Sequence, residues 1–164
     1  MNFCKLGQYQ TAIRSQVESY IGDEVSLKLQ TYIRCGETIN VLTKQKDPEY
    51  LVGPREALRS LGTLLLYVTD LASLRVQKNP EVMTLPLSEV ASSETTRNAT
   101  KAQPEALYLL LADNVTSYVK GDSDPSLSLW LIFCACQVLA LRNGSTLNEV
   151  LEMNVNELIR AEGS

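Results

Sequence analysis

The sequence lacks histidine, an excess of positive charge and long apolar runs. Its 164 residues include 15 basic and 19 acidic side chains, which give a net charge of -4. Without a basic stripe to neutralise a phosphate backbone, we expect no nucleic-acid partner. No apolar run reaches the roughly 20 residues that cross a bilayer, and no secretory signal is visible. We therefore expect a soluble, cytoplasmic protein with no membrane partner.

Cysteine is scarce as well, with four residues in the chain. Cys134 and Cys136 stand two positions apart, and on a helix such side chains point about 200° away from each other. No histidine can complete a zinc site around them. Because three of the four cysteines lie in apolar runs, we expect reduced core thiols in a reducing compartment.

Apolar residues recur at helical intervals, and no segment alternates with a period of two for long enough to indicate a strand. The sequence therefore predicts an all-α protein. The six predicted helices cover residues 8–20, 24–44, 54–75, 104–120, 126–142 and 147–161. The third is apolar almost all round between Leu61 and Val68, which is typical of a helix at the centre of a bundle.

Cap and breaker residues predict where these helices start and stop. The signals are Asp23 and Pro54 at starts, Gly121 at an end, Asp124 or Ser126 as the cap of the fifth helix, and a Thr146/Glu149 capping box on the sixth. The second helix is expected to turn six apolar residues inward: Val25, Leu29, Tyr32, Ile33, Ile39 and Leu42.

Residues 77–103 differ in composition from the rest of the chain. They are rich in Ser, Thr, Asn and Pro, and only 87–97 shows a weak helical pattern. This composition predicts a poorly packed connector with one short helix.

Four short motifs follow one another along the chain. They are "YQTAIRS" from Tyr9, "RCGETINV" at 34–41, "SLGTLLLY" at 60–67 and "STLNEVLEMNVNELIR" at 145–160. In this order they resemble the MazG-like all-α nucleoside triphosphate pyrophosphohydrolases, throughout the chain. The resemblance implies a helical bundle of the type found in that family and in the related dimeric dUTPases.

A weak internal similarity accompanies this resemblance. "LPLSEVASSETTR" at 85–97 aligns with "STLNEVLEMNVNE" at 145–157. Two organisations stay open: one all-α domain over 1–164, or two degenerate tandem repeats within it, at 8–101 and, truncated, at 104–161. The dimeric dUTPases resemble such a doubled arrangement.

The resemblance implies a metal site from which most ligands are missing. In the family, two carboxylates three residues apart on the second helix face two on the third, and together they hold Mg²⁺. Matched position by position, they fall on Arg34, Glu37, Ser60 and Thr63. One carboxylate survives, and Arg34 opposes a cation, since unit charges about 4 Å apart interact by roughly 4 kcal/mol at an effective dielectric of 20. We therefore expect no metal cofactor.

Two functions follow from this comparison. The first is a catalytically inactive MazG-like protein that acts as a nucleotide-binding or protein-interaction module, with Arg34, Glu37 and Asn154 as candidate nucleotide contacts. The alternative is a divergent Mg²⁺-dependent enzyme that converts a nucleoside triphosphate to monophosphate and pyrophosphate. In that enzyme Glu37 is catalytic, and Glu37 with Asp70 or Asp113 supplies reshaped metal ligands.

Each candidate also has an ordinary structural interpretation. Arg34 and Glu37 could form a surface pair three residues apart, Asn154 could be a surface asparagine, and Asp70 a capping or surface residue. Family members are mostly oligomers, and the apolar runs 64–66 and "LWLIF" at 129–133 need cover. We therefore expect a homo-oligomer or an intramolecular pseudo-dimer, with a protein partner as a further option.

Overall fold

Eight helices and no strand occur in the residues that the computed structural model describes, which are 3–14, 23–76, 85–121 and 124–162. In chain order they are α1 (Leu6–Arg14), α2 (Glu24–Lys44), α3 (Pro54–Val76), α4 (Leu87–Val90), α5 (Glu94–Ala99), α6 (Pro104–Lys120), α7 (Pro125–Arg142) and α8 (Leu147–Glu162). The all-α class is confirmed. Five predicted helices agree to within one residue; of the first, residues 15–20 lie outside the described ranges.

Local hydrogen bonds set the helix ends. The Asp23 carboxylate accepts the Ser26 backbone N–H at 2.8 Å, which starts α2 and lowers the pKa of Asp23. Gly121 ends α6 with a φ of 75°, a left-handed conformation that costs glycine little. At α7, Asp124 rather than Ser126 is the cap, since its carboxylate accepts the Ser126 N–H at 3.0 Å.

Helices α3 and α7 form the centre of the core because both are apolar on nearly all sides. On α3, Leu61, Leu64 and Val68 are fully buried, as predicted, and on α7 burial is continuous over 132–140. The run at 64–66 is buried within the chain itself, and most of "LWLIF" is too. These two runs therefore need no second subunit, which removes that reason for expecting an oligomer.

The same two helices have the composition of membrane spans. Windows 54–75 and 125–142 are long and apolar enough to cross a bilayer, and 61% of each is buried inside the bundle. The core helix of a soluble protein has the same properties. The expectation of a soluble, cytoplasmic protein stays a prediction.

Arg75, in the last turn of α3, holds three helices together. Its guanidinium donates to the carbonyls of Tyr118 and Val119, at 2.8 Å for Val119, and so satisfies the carboxyl end of α6. It stacks on the Tyr118 ring at 4.8 Å and lies 3.7 Å from the Glu24 carboxylate on α2. Helix α2 is therefore antiparallel to α3, with its start beside the end of α6.

Helix α2 buries a different side from the one predicted over most of its length, although Leu42 is buried and Ile39 is partly buried, as expected. Its buried residues are Leu27, Thr31, Cys35, Thr38 and Leu42. Four of the six residues expected inside are exposed instead, with Val25 at 75% and Leu29 at 58%, and they form what we call the outer face of α2: Val25, Leu29, Tyr32 and Ile33.

Two threonines explain the error. Thr31 and Thr38 donate their hydroxyls to the carbonyls of Leu27 and Arg34, four residues earlier, so these polar side chains enter the core with their hydrogen bonds made. The apolar spacing predicted the helix correctly but not which side it buries.

The predicted connector is better packed than expected. Its residues 85–103 contain two short helices, α4 and α5, and bury Leu85, Leu87 and Val90. The Thr96 hydroxyl donates to the Val90 carbonyl at 2.6 Å and joins the two helices. Residues 77–84 of the same segment lie outside the described ranges.

The cysteines are divided as their sequence context predicts. Cys35, Cys134 and Cys136 are buried and reduced, while Cys4 is exposed. Burial raises the pKa of Cys35 to about 11 and also raises the pKa of Cys136.

We expect iodoacetamide at pH 8 to modify one thiol of the native protein rapidly and four after unfolding in guanidinium, since burial suppresses the reactive thiolate. Peptide mass mapping should place the fast site at Cys4, and Cys4→Ser should remove the fast phase. Rapid modification of a second thiol in the native protein would contradict the buried positions of the other three.

Candidate functional site

A pocket between α2 and α3 collects the positions that matched the family's carboxylates. Arg34 and Glu37 come from α2, and Ser60 and Thr63 from α3. Their spacing of three on each helix puts each pair on one face, and the contact between the helices brings the two faces together. The pocket has a volume of about 160 Å³.

Thr38 fixes the two walls of this pocket relative to each other. Its hydroxyl lies 2.8 Å from the Arg34 carbonyl and 3.1 Å from the Ser60 carbonyl, so one buried side chain contacts the backbone of both helices. A buried hydroxyl that lost these acceptors would be left without its hydrogen bonds, at a cost of about 1–3 kcal/mol. Thr38 therefore holds Arg34 opposite Ser60.

Arg34 is the most constrained charged group in the pocket. Its Nη1 donates to the Glu37 carboxylate at 2.9 Å, and its guanidinium lies over the Tyr67 ring at 5.4 Å. The hydrogen bond to Glu37 raises the pKa of Arg34, which keeps it cationic. Its Nε is buried and has no hydrogen-bond partner among the described residues. Thus the predicted surface pair of Arg34 and Glu37 exists and also lines a pocket.

Arg59 is a second cation in this pocket that the sequence comparison missed. It lies one residue before Ser60, and its Nε is 3.4 Å from the Glu157 carboxylate on α8. Both side chains are well exposed, so this pair contributes little stability and leaves Arg59 able to turn toward a ligand. The sequence shows that Arg59 is next to Ser60. Where its side chain lies could not be predicted, because that depends on the contact with Glu157 on α8.

The lining is unsuited to a divalent cation. It contains two guanidinium groups, three hydroxyls and one carboxylate, Glu37. No group of three or more acidic, cysteine or histidine side chains that could hold a metal occurs in the described ranges. Since Mg²⁺ requires hard oxygen ligands and gives up its water reluctantly, one carboxylate already bound to an arginine does not fit it.

The two other predicted metal ligands lie elsewhere. Asp70 is fully buried in α3, which corrects the expectation of a surface or capping residue, and it does not line the pocket. Asp113 is exposed on α6. The structure therefore does not bring Asp70 or Asp113 together with Glu37.

Asn154 is buried at a junction of three helices instead of lying on the surface. Its amide donates to the Tyr9 hydroxyl on α1 at 3.0 Å and to the Gly62 carbonyl on α3 at 2.7 Å. These bonds give Asn154 a structural role, and it does not line the pocket, although its partner Gly62 is next to Thr63 in the chain. Its predicted contact with a nucleotide stays a prediction.

The apolar residues that align in the two predicted repeats are buried in both. Leu87 and Val90 are buried in α4, as Leu147 and Val150 are in α8. The helices themselves differ, with 4 residues in α4 and 16 in α8. The tandem repeat stays a prediction.

No protein-family model, curated protein or solved structure significantly matches this chain. The resemblance to MazG-like enzymes therefore stays a prediction that rests on the motifs.

Gly62 and Gly36 provide a matched test of the Asn154 junction. A Cβ at Gly62 would lie 2.5 Å from the Asn154 Oδ1, whereas a Cβ at Gly36 would meet nothing within 4 Å. We expect Gly62→Ala to lower the free energy of unfolding by about 1–3 kcal/mol through overpacking. Gly36→Ala should raise it by up to about 1 kcal/mol, because alanine favours the helix. Urea denaturation measures both free energies. Equal effects of the two substitutions would contradict the close packing of Asn154 against Gly62.

Proposed function

We propose that this chain is a catalytically inactive protein of the MazG-like type that binds the phosphate groups of a nucleotide without a metal. The observation that carries the proposal is the lining of the α2–α3 pocket. Where the resemblance implies an acidic cage, the pocket presents Arg34 and Arg59 beside the Ser60 hydroxyl. The hydroxyls of Thr38 and Thr63 also line it but already donate to backbone carbonyls.

This set of groups suits an oxyanion. A guanidinium offers a planar fork of N–H donors that matches phosphate, and it stays charged under all physiological conditions. The Ser60 hydroxyl adds a neutral donor that can rotate to meet a phosphate oxygen. Glu37 and Glu157 offset part of the positive charge, so we expect modest affinity that falls as salt screens the arginines.

The same groups argue against hydrolysis. Cleaving a triphosphate requires ions that activate water and neutralise charge on the phosphate under attack. Arginines can supply the second effect but cannot generate hydroxide. The alternative, a Mg²⁺-dependent pyrophosphohydrolase, would need Asp70 to leave the core and join Glu37 at a new site.

A thermal-shift measurement tests metal-free binding. With EDTA present, we expect nucleoside triphosphates to raise the Tm by about 3–5 °C if the Kd is near one-tenth of the nucleotide concentration. Arg34→Ala should abolish the shift, because it removes the constrained guanidinium. Arg97→Ala, at an exposed arginine on α5 outside the pocket, is the control and should keep it.

Two results would overturn this proposal. Stabilisation that appears only with Mg²⁺, together with pyrophosphate release lost in Glu37→Ala, would establish the enzyme instead. If no nucleotide raised the Tm of the intact protein, nucleotide binding at the α2–α3 pocket would be excluded.

A second candidate function is self-association through the outer face of α2. This face lies opposite the buried side of the helix and has four exposed apolar side chains. Gly36 continues the same face and leaves room for close approach of another helix. The apolar area is a few hundred Å², less than the roughly 800 Å² that each partner contributes to a stable interface, so a weak dimer of this chain is expected.

Analytical ultracentrifugation over a range of concentrations tests the dimer. We expect a concentration-dependent sedimentation coefficient that becomes monomeric in Leu29→Lys, since a charge on the outer face of α2 would be buried on association. Leu127→Lys is the matched control, at a leucine 54% exposed on α7. A wild-type protein that stays monomeric at the highest concentration would exclude this function.

A further inference from the structure

A second cavity lies away from the α2–α3 pocket, where the amino-terminal segment meets α4, α7 and the start of α8. Its volume is about 230 Å³. A dry apolar cavity of about 150 Å³ accepts benzene, so this one has room for a molecule somewhat larger than a single ring. Five of its nine lining residues are apolar, namely Phe3, Leu87, Ala91, Leu147 and Leu151, and four are polar, namely Ser88, Gln137, Thr146 and Asn148.

Gln137 is the polar group that defines this cavity. The side chain is only 5% exposed, and its Oε1 accepts the Leu147 backbone N–H at 2.7 Å. That bond fixes the orientation of the amide, so the remaining group, Nε2, is a donor. No hydrogen bond joins Nε2 to any residue in the described ranges, although Gln137 lines the cavity. An unpartnered donor that faces the cavity can bond to a ligand oxygen there.

The start of α8 does not make this an anion site. The Leu147 N–H is bound by Gln137, and the Glu149 N–H is bound by the Thr146 hydroxyl at 3.2 Å, as the predicted capping pair requires. No lysine or arginine lines the cavity, and Glu149 is the next residue after a lining one. Negative charge nearby and no cation both disfavour a carboxylate or phosphate.

We propose that this cavity binds a small uncharged molecule with an apolar body and one carbonyl oxygen, which accepts a hydrogen bond from Gln137 Nε2. The apolar walls supply the contact area, and the Gln137 donor sets the orientation beside the more exposed polar residues Ser88, Thr146 and Asn148. This site is independent of the nucleotide proposal, since the two pockets share no lining residue.

Three probes of similar size separate the effects of apolar contact, a hydrogen-bond acceptor and charge on binding. Acetophenone has the ring and a carbonyl, benzoate has a charged carboxylate, and cumene has no acceptor. Titrations followed by amide NMR of the intact protein report both affinity and the Gln137 side-chain resonances. We expect saturable acetophenone binding that moves the Gln137 Nε2 signals. Cumene should bind about fivefold more weakly through loss of the hydrogen bond, and benzoate at least tenfold more weakly.

Ala91→Leu tests whether acetophenone binds in this cavity. It should not disturb the core, because Ala91 is an exposed residue that also lines the cavity. The larger side chain should fill the space and weaken acetophenone binding at least tenfold. Ala106→Leu, at an exposed alanine on α6, is the control and should leave it unchanged.

Several outcomes would overturn the proposal. They are no saturable shift with acetophenone up to its solubility limit, unchanged binding in Ala91→Leu, or cumene or benzoate binding as tightly as acetophenone.

Discussion

The contact between α2 and α3 positions every residue of the candidate site. Thr38 on α2 joins the two helices through the Ser60 carbonyl, and Arg75 holds their opposite ends beside Glu24. With the helices fixed in this way, side chains three residues apart on each helix must share one pocket. The chemistry of the site then depends only on which residues occupy those positions.

The occupants favour negatively charged ligands. An arginine and two hydroxyls occupy the positions at which the resemblance implies carboxylates, and they favour an anion over a cation. The Arg34–Glu37 pair and the Arg59–Glu157 pair moderate the positive charge, and both are partly exposed, so the pairs are weak enough for a ligand to compete with them.

The sequence predicted what depends on near neighbours along the chain. Asp23, Pro54 and Gly121 act within one helical turn, so helix ends could be predicted without knowing the tertiary structure. Which side of α2 is buried could not be predicted. The exposed side carries more apolar residues, whereas the buried side includes threonines that bond to carbonyls of their own helix.

The candidate site could be predicted only in part, because spacing along one helix is visible in the sequence and contacts between distant segments are not. Arg34, Glu37, Ser60 and Thr63 share a pocket because helical spacing and one helix contact suffice to bring them together. Of the two alternatives for Asn154, the surface position was wrong, and its burial could not be predicted because its partners, Tyr9 and Gly62, are distant in sequence. The cavity at Gln137 needs four chain segments at once, and no local pattern reports such a meeting.

The claim that the α2–α3 pocket binds phosphate without a metal is tested most directly by phosphorus NMR of a nucleoside triphosphate added to the protein in EDTA. We expect saturable shifts of the phosphate resonances and no new signals after Mg²⁺ is added. Resonances that do not respond in EDTA, followed by the signals of monophosphate and pyrophosphate once Mg²⁺ is present, would contradict it.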